Sequence, residues 1–391
     1  MEIMELEQKL NDKSIETRLA ALKELKQLAD AGKVKLEPKN KFMNLHCHTF
    51  HSFNAFGYSP GAVAWVCYKL GLDMMGTVDF DVIDSLEETM QAGKILGLKT
   101  VVGIESRVYI KEYADKVINS PNEPGVCYFC GIGFYKKPVI NSFADITLKK
   151  IFNIAKQRNV SVLGKLNPFL SPVTIDYEND LVPLTASGNA TERHILKAYY
   201  EKSKAILKNT NKIISFWAER LGTDTAKVTE LMKNEFQLYE LMRAKLIKYG
   251  SIGYVKPEPK NFPTIEEMIK MIRELDALPS LAFLDGTSEG EADISKWIRF
   301  IKSKGVNVVT LIPDRNFNIK DEAEKKIKVD KLNEFFTVCR EEKMYIIPGT
   351  EMNKAGQKLV DNFNAPELKP YLRDFIAGAE FVYSNRKELK G

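Results

Sequence analysis

The chain has 391 residues, 44% apolar and 28% charged, the proportions of a soluble globular protein with room for one large domain or two to three ordinary ones. Its 57 basic and 52 acidic residues leave a net charge of +5, a balance too mild to point to nucleic-acid or membrane partners, and no apolar run approaches the ~20 residues of a membrane span. Five cysteines and an acidic N-terminus without a secretory pattern predict reduced thiols and a cytoplasmic location.

Residues 1–40 read as a helical extension, with Ile15, Leu19, Leu22, Leu25 and Leu28 at helical spacing and Gly32 and Pro38 ending it. From Phe42 strands and helices alternate. A strand over Asn44–His48 leads to Ser59-Pro60, a cap followed by proline at the first helical position, and a helix from Gly61 to Leu70. A strand at Met74–Val78, a helix from Asp84 to Leu96 stopped by Gly97, and a strand at Thr100–Gly103 follow. Further strands are predicted at Tyr128–Phe134, Val160–Leu163, Leu281–Leu284, Val308–Ile312 and Tyr345–Pro348, the last three separated by helices at Ala292–Ser303 and Asp321–Glu342. Cys127 and Cys130 form a C-x-x-C within a strand, where they face opposite sides and read as buried structural thiols. The alternation predicts parallel βα units, with an α/β barrel over 41–180 and 276–391 interrupted by a helical insertion over 181–275.

In a βα barrel the chemistry sits at the C-terminal strand ends. Those ends carry His46 and His48, Asp79 and Asp81, Glu105, Asp285, Asp314 with Arg315, and Glu351. His46 and His48 are two of only four histidines and, two apart on a strand, share one face. Two imidazoles with several carboxylates suit a divalent cation such as zinc, manganese or iron. Each residue also has a plainer reading: Asp79 or Asp81 as a helix cap, Asp285 as a turn, Glu105 as the partner of Arg107.

Leu45-His46-Cys47-His48-Thr49, Lys69-Leu70-Gly71-Leu72-Asp73, Asp79-Phe80-Asp81 and Gly103-Ile104-Glu105 together resemble the PHP family, the polymerase and histidinol-phosphatase family of metal-dependent phosphoesterases. The match is good over residues 42–110 and partial in the C-terminal half. The resemblance implies a distorted (β/α)7 TIM-like barrel with up to three metal ions. It implies His46, His48, Glu105 and Asp79 as ligands, with Glu351 in place of a late aspartate. Four family histidines fall on Phe80, Tyr128, Phe283 and Asn353, so the full cluster is depleted and one ion on His46, His48, Glu105 and Glu351 is expected. A second ion on Asp79, Glu105 and Asp285 is a weaker alternative.

Anion-handling groups complete the reading. Ser187-Gly188-Asn189 opens the first inserted helix, where Asn189 or Ser187 would cap it, and Arg193 and His194 lie in its first turn. Arg107 shares the strand face of Glu105, and Arg315 lies at another strand end; each can hold a phosphate or pair with a site carboxylate. Three functions fit these residues: a phosphoesterase-type hydrolase of a small anionic substrate with Asp79 or His194 as the acid–base group; a ligand-binding or regulatory barrel that has lost catalysis; and, third, a metal-assisted lyase, isomerase or amidohydrolase-like enzyme.

Overall fold

A computed structural model describes residues 2–385. Strands β1 (Met43–Cys47), β2 (Met74–Phe80), β3 (Lys99–Tyr109), β4 (Val126–Ile132), β5 (Leu278–Phe283), β6 (Val308–Leu311) and β7 (Tyr345–Pro348) form one sheet in sequence order. β4 is antiparallel to β3 and β5; the other neighbouring pairs are parallel. Beyond β7 the sheet curls back onto β1: the Glu351 N–H donates to the His46 carbonyl (2.8 Å) and the His48 N–H to the Glu351 carbonyl (2.7 Å). The expected distorted seven-stranded barrel is therefore present. Every residue of β1 and β6 is buried, as strands covered on both faces require.

The helices are α1 (Glu2–Lys9), α2 (Ile15–Asp30), α3 (Pro60–Lys69), α4 (Leu86–Leu96), α5 (Phe143–Leu170), α6 (Glu192–Leu207), α7 (Thr210–Leu221), α8 (Thr225–Leu231), α9 (Glu235–Leu246), α10 (Ile265–Glu274), α11 (Ile294–Ser303), α12 (Asp314–Phe317), α13 (Glu322–Glu341) and α14 (Leu372–Ser384). Ser59 caps α3 by accepting from the Ala62 N–H, with Pro60 at the first helical position, and Gly97 ends α4 in the left-handed conformation at φ 63°.

Three apolar clusters organise these elements. The largest joins the strands to α10, α11, α13 and α14 through side chains such as Phe129, Trp297, Phe335 and Phe375. A second packs α1 and α2 against α3 and α4, through Leu22, Leu25, Trp65 and Leu96. Arg18 of α2 reaches Glu88 of α4 (2.6 Å), both buried, and Glu88 also accepts from the Gly61 N–H.

The third cluster belongs to the inserted helices and is centred on Trp217, Tyr199 and Leu238. It corrects one expected strand. Val160–Leu163 lies inside α5, whose first half packs on the barrel through Ala144 and Ile151 and whose second half enters the inserted cluster through Val162, Leu166 and Leu170. Packing on two cores overrides the strand preference of that valine-rich run.

Candidate metal centre

His46 lies in β1 and His48 one residue past its end, while Cys47 between them packs into the layer below the N-terminal helices. Glu105 comes from β3, which runs six residues beyond the predicted end at Gly103. Glu105 Oε2 stands 3.4 Å from His46 Nε2 and 3.2 Å from His48 Nε2, and the donor atoms of the three residues lie within 4.8 Å of one another. All three side chains are buried, and these three atoms make no hydrogen bond. Buried polar atoms without partners are costly. Ligands on one ion at bonds of ~2.05 Å are about 3.3 Å apart in a tetrahedral site, close to the two spacings seen here. The donor set and its spacing therefore fit a divalent cation. Burial alone would raise the Glu105 pKa, but the two imidazoles outweigh it and hold the carboxyl well below the usual range.

The surrounding residues fix the pair. His48 Nδ1 meets Ser52 Oγ at 3.2 Å, and Ser52 donates to Asp79 Oδ1 at 2.6 Å. Asp79 also accepts from the Thr49 N–H and hydroxyl, both at 2.8 Å, so its oxygens are occupied and it does not reach the triad. Phe80 stacks on the His48 ring with centroids 4.2 Å apart. Gly349 leaves room for His46: a Cβ there would overlap the histidine's own.

Glu351 lies at the same barrel end but is held otherwise. Arg315 Nη2 donates to Glu351 Oε1 at 2.6 Å and Gln357 Nε2 to Oε2 at 3.0 Å. Burial raises its pKa, and Arg315 chiefly brings it below normal. Glu351, Met352 and Asp81 have positive φ values of 62°, 58° and 63°, strain of the kind that collects at functional sites.

His46 and Glu105 of the triad open into a cavity of about 910 Å³ between the strand ends and the inserted helices. Arg107, Arg193 and Arg315 all line it. Arg107 pairs with Glu123 (3.1 Å) and lies over the Phe262 ring; Arg193 pairs with Glu240 (3.0 Å). Tyr128, Phe283 and Asn353 are also in its wall, Phe283 stacked on Phe335. Asp81 faces the cavity and accepts from Ser106 Oγ at 2.6 Å; burial pushes its pKa up to about 6.

Two expected groups lie elsewhere. His194 is buried at the start of α6, accepts the Thr191 N–H on Nδ1 (3.1 Å) and packs edge-on against Phe53; desolvation pushes its pKa down to about 3. The N-cap is thus Thr191, whereas Asn189 donates to the His51 and Phe80 carbonyls and Ser187 meets His51. Asp285 is bound by Thr287 and by Lys328 (3.2 Å), away from the triad. Sequence reading passed over Arg158 of α5 and the inserted cations Arg243 and Lys248, which also line the cavity.

Fold and site define a seven-stranded α/β barrel with a buried His–His–Glu cluster at one end of its strands. No family profile matches the chain. No curated protein sequence does either. Among solved structures it is similar to a proposed metal-dependent phosphoesterase from Bifidobacterium adolescentis, at 14% identity and a TM-score of 0.55, covering 86% of this chain and 98% of the other. It is equally similar to an amidohydrolase from Chromobacterium violaceum with bound sulfate and no metal, at 14% identity and a TM-score of 0.55, covering 86% and 96%. At this identity the likeness is one of fold. Among the described residues no helix is long and apolar enough to cross a membrane.

Proposed function

We propose that the protein is a metal-dependent hydrolase of the PHP phosphoesterase type, acting on a small anionic substrate. The supporting observation is the convergence of three buried donor atoms without hydrogen bonds, on His46, His48 and Glu105. These residues would hold one zinc, manganese or iron ion, with Glu351 beside them. Such an ion supplies Lewis acidity to water and to a phosphoryl oxygen.

The chain's own residues do the rest. Ser52 and Asp79 orient His48, so Asp79 acts by positioning. Arg315, tied to Glu351, presents its guanidinium at the cavity wall beside the triad, and Arg107 and Arg193 add positive charge further out. Asp81 is the cavity carboxyl placed to serve the leaving group, whereas His194 braces the start of α6 and Phe53.

Protein reconstituted with each of the three metals and assayed on a panel of phosphomonoesters tests this reading. Turnover that disappears on chelation, and falls at least a thousandfold in Glu105→Gln, is expected. The second reading, a barrel that binds without turning over, is favoured by Phe80 stacked on His48 where the family places a histidine. Ligand-induced stabilisation with no hydrolysis across the panel would select it.

A further inference from the structure

The cavity wall formed by α5, α6 and the end of α9 carries a concentration of positive charge that the metal centre does not use. Arg158 of α5, Arg243 of α9 and Lys248 just after α9 converge on one carboxylate, Glu192 at the start of α6. Arg158 lies 2.8 Å from Glu192 Oε1, and Arg243 and Lys248 lie 2.9 and 3.5 Å from Oε2. One carboxylate cannot neutralise three cations. Arg193, the fourth cation of this wall, uses Glu240, and Asp81 is a further carboxylate within reach of Arg158, so four cations face three carboxylates. Arg158 Nε is buried with no hydrogen-bond acceptor. Lys248 is held below its ordinary pKa: partial burial is the main cause, Glu192 opposes it, and the Arg243 and Arg158 guanidinium groups add to it. Tyr249, 65% exposed, and Tyr254 stand beside the cluster in an edge-to-face pair with centroids 5.3 Å apart.

We infer that Arg158, Arg243 and Lys248 form an anion subsite, supplied by α5 and the inserted stretch around the end of α9, for a second phosphate or carboxylate group on the substrate. Building on the hydrolase reading, this assigns the substrate class: a phosphoester whose far end carries another anionic group. Phosphate-sized anions favour paired guanidinium donors. The cavity, about 910 Å³, is large enough for a ligand reaching from the triad to this wall. Glu192 serves as the counter-charge that gathers the three cations until the anion arrives.

The test is isothermal titration of the full chain with inorganic phosphate after dialysis against EDTA, so that binding at a metal does not contribute. One saturable site is expected. Arg243→Gln should weaken it at least tenfold. Lys248→Gln, at a half-exposed position that leaves the fold undisturbed, should weaken it at least threefold. Glu192→Gln should strengthen it at least threefold by removing the competing carboxylate, and His46→Ala should leave it unchanged. Absence of saturable binding, or binding unaffected by both Arg243→Gln and Lys248→Gln, would overturn the assignment and leave the cluster as a staple between helices. Neither outcome depends on the metal content, which tests the hydrolase reading separately.

Discussion

Glu105 sits between two imidazoles with one oxygen 3.2 and 3.4 Å from their Nε2 atoms and no hydrogen bond to either. A carboxylate in that position either meets protonated histidines or shares a cation with neutral ones. Its partners are fixed from behind: Ser52 and Asp79 set the His48 ring. Ser52→Ala leaves all three ligands in place and should weaken metal binding about 10- to 100-fold, measured by competition with a chromogenic chelator. His194 illustrates a different residue-scale effect. Its folded pKa, about 3, lies below the unfolded value of ~6.5, so only the unfolded chain takes up that proton between those limits. The stability it contributes is whole above pH ~6.5 and falls with pH by up to about 1.4 kcal/mol per unit until about pH 3. Asp81 and Glu291, whose pKa values are raised to about 6 and about 7, act in the opposite sense, so the comparison must be a difference. Urea midpoints between pH 6.5 and 5 should drop less for His194→Gln than for the native protein.

At the scale of elements, the N-terminal helices are attached by a buried ion pair as well as by apolar packing. Arg18→Met strands the Glu88 carboxylate beneath α2 and should cost about 3–5 kcal/mol in urea unfolding. Gly349→Ala would push β7 against His46 and should lower both stability and metal affinity, the latter at least tenfold by the same competition assay. How far the sequence showed these elements varies with the signal. β1, β6 and β7 were legible as short apolar runs, and His46 and His48 by their two-residue spacing on a strand. β4's reversed direction was not, because side-chain alternation is the same for parallel and antiparallel strands. Val160–Leu163 misled because its apolar residues look like a short strand, whereas Val162 and Leu163 pack into the inserted cluster from within α5. Arg158, Arg243 and Lys248 carry no mark in the sequence, since only the tertiary fold brings residues so far apart onto Glu192. The sequence allowed Arg315 a site carboxylate as partner, and the fold selects Glu351.

Over the whole molecule, the barrel supplies the donor triad, the inserted helices supply the far wall of the cavity, and the long α5 belongs to both cores. A ligand bound at the triad should therefore stabilise the barrel by mass action, by about 2.7 kcal/mol at a free-ion concentration 100-fold above Kd. The claim on which the rest depends is that His46, His48 and Glu105 hold one ion. Elemental analysis after reconstitution with zinc, manganese or iron and exhaustive desalting tests it directly. About one equivalent per chain in the native protein, and almost none in His46→Ala or Glu105→Gln chains that fold normally by circular dichroism, is the expected result. A native protein that stays metal-free, or variants that retain the full equivalent, would contradict it.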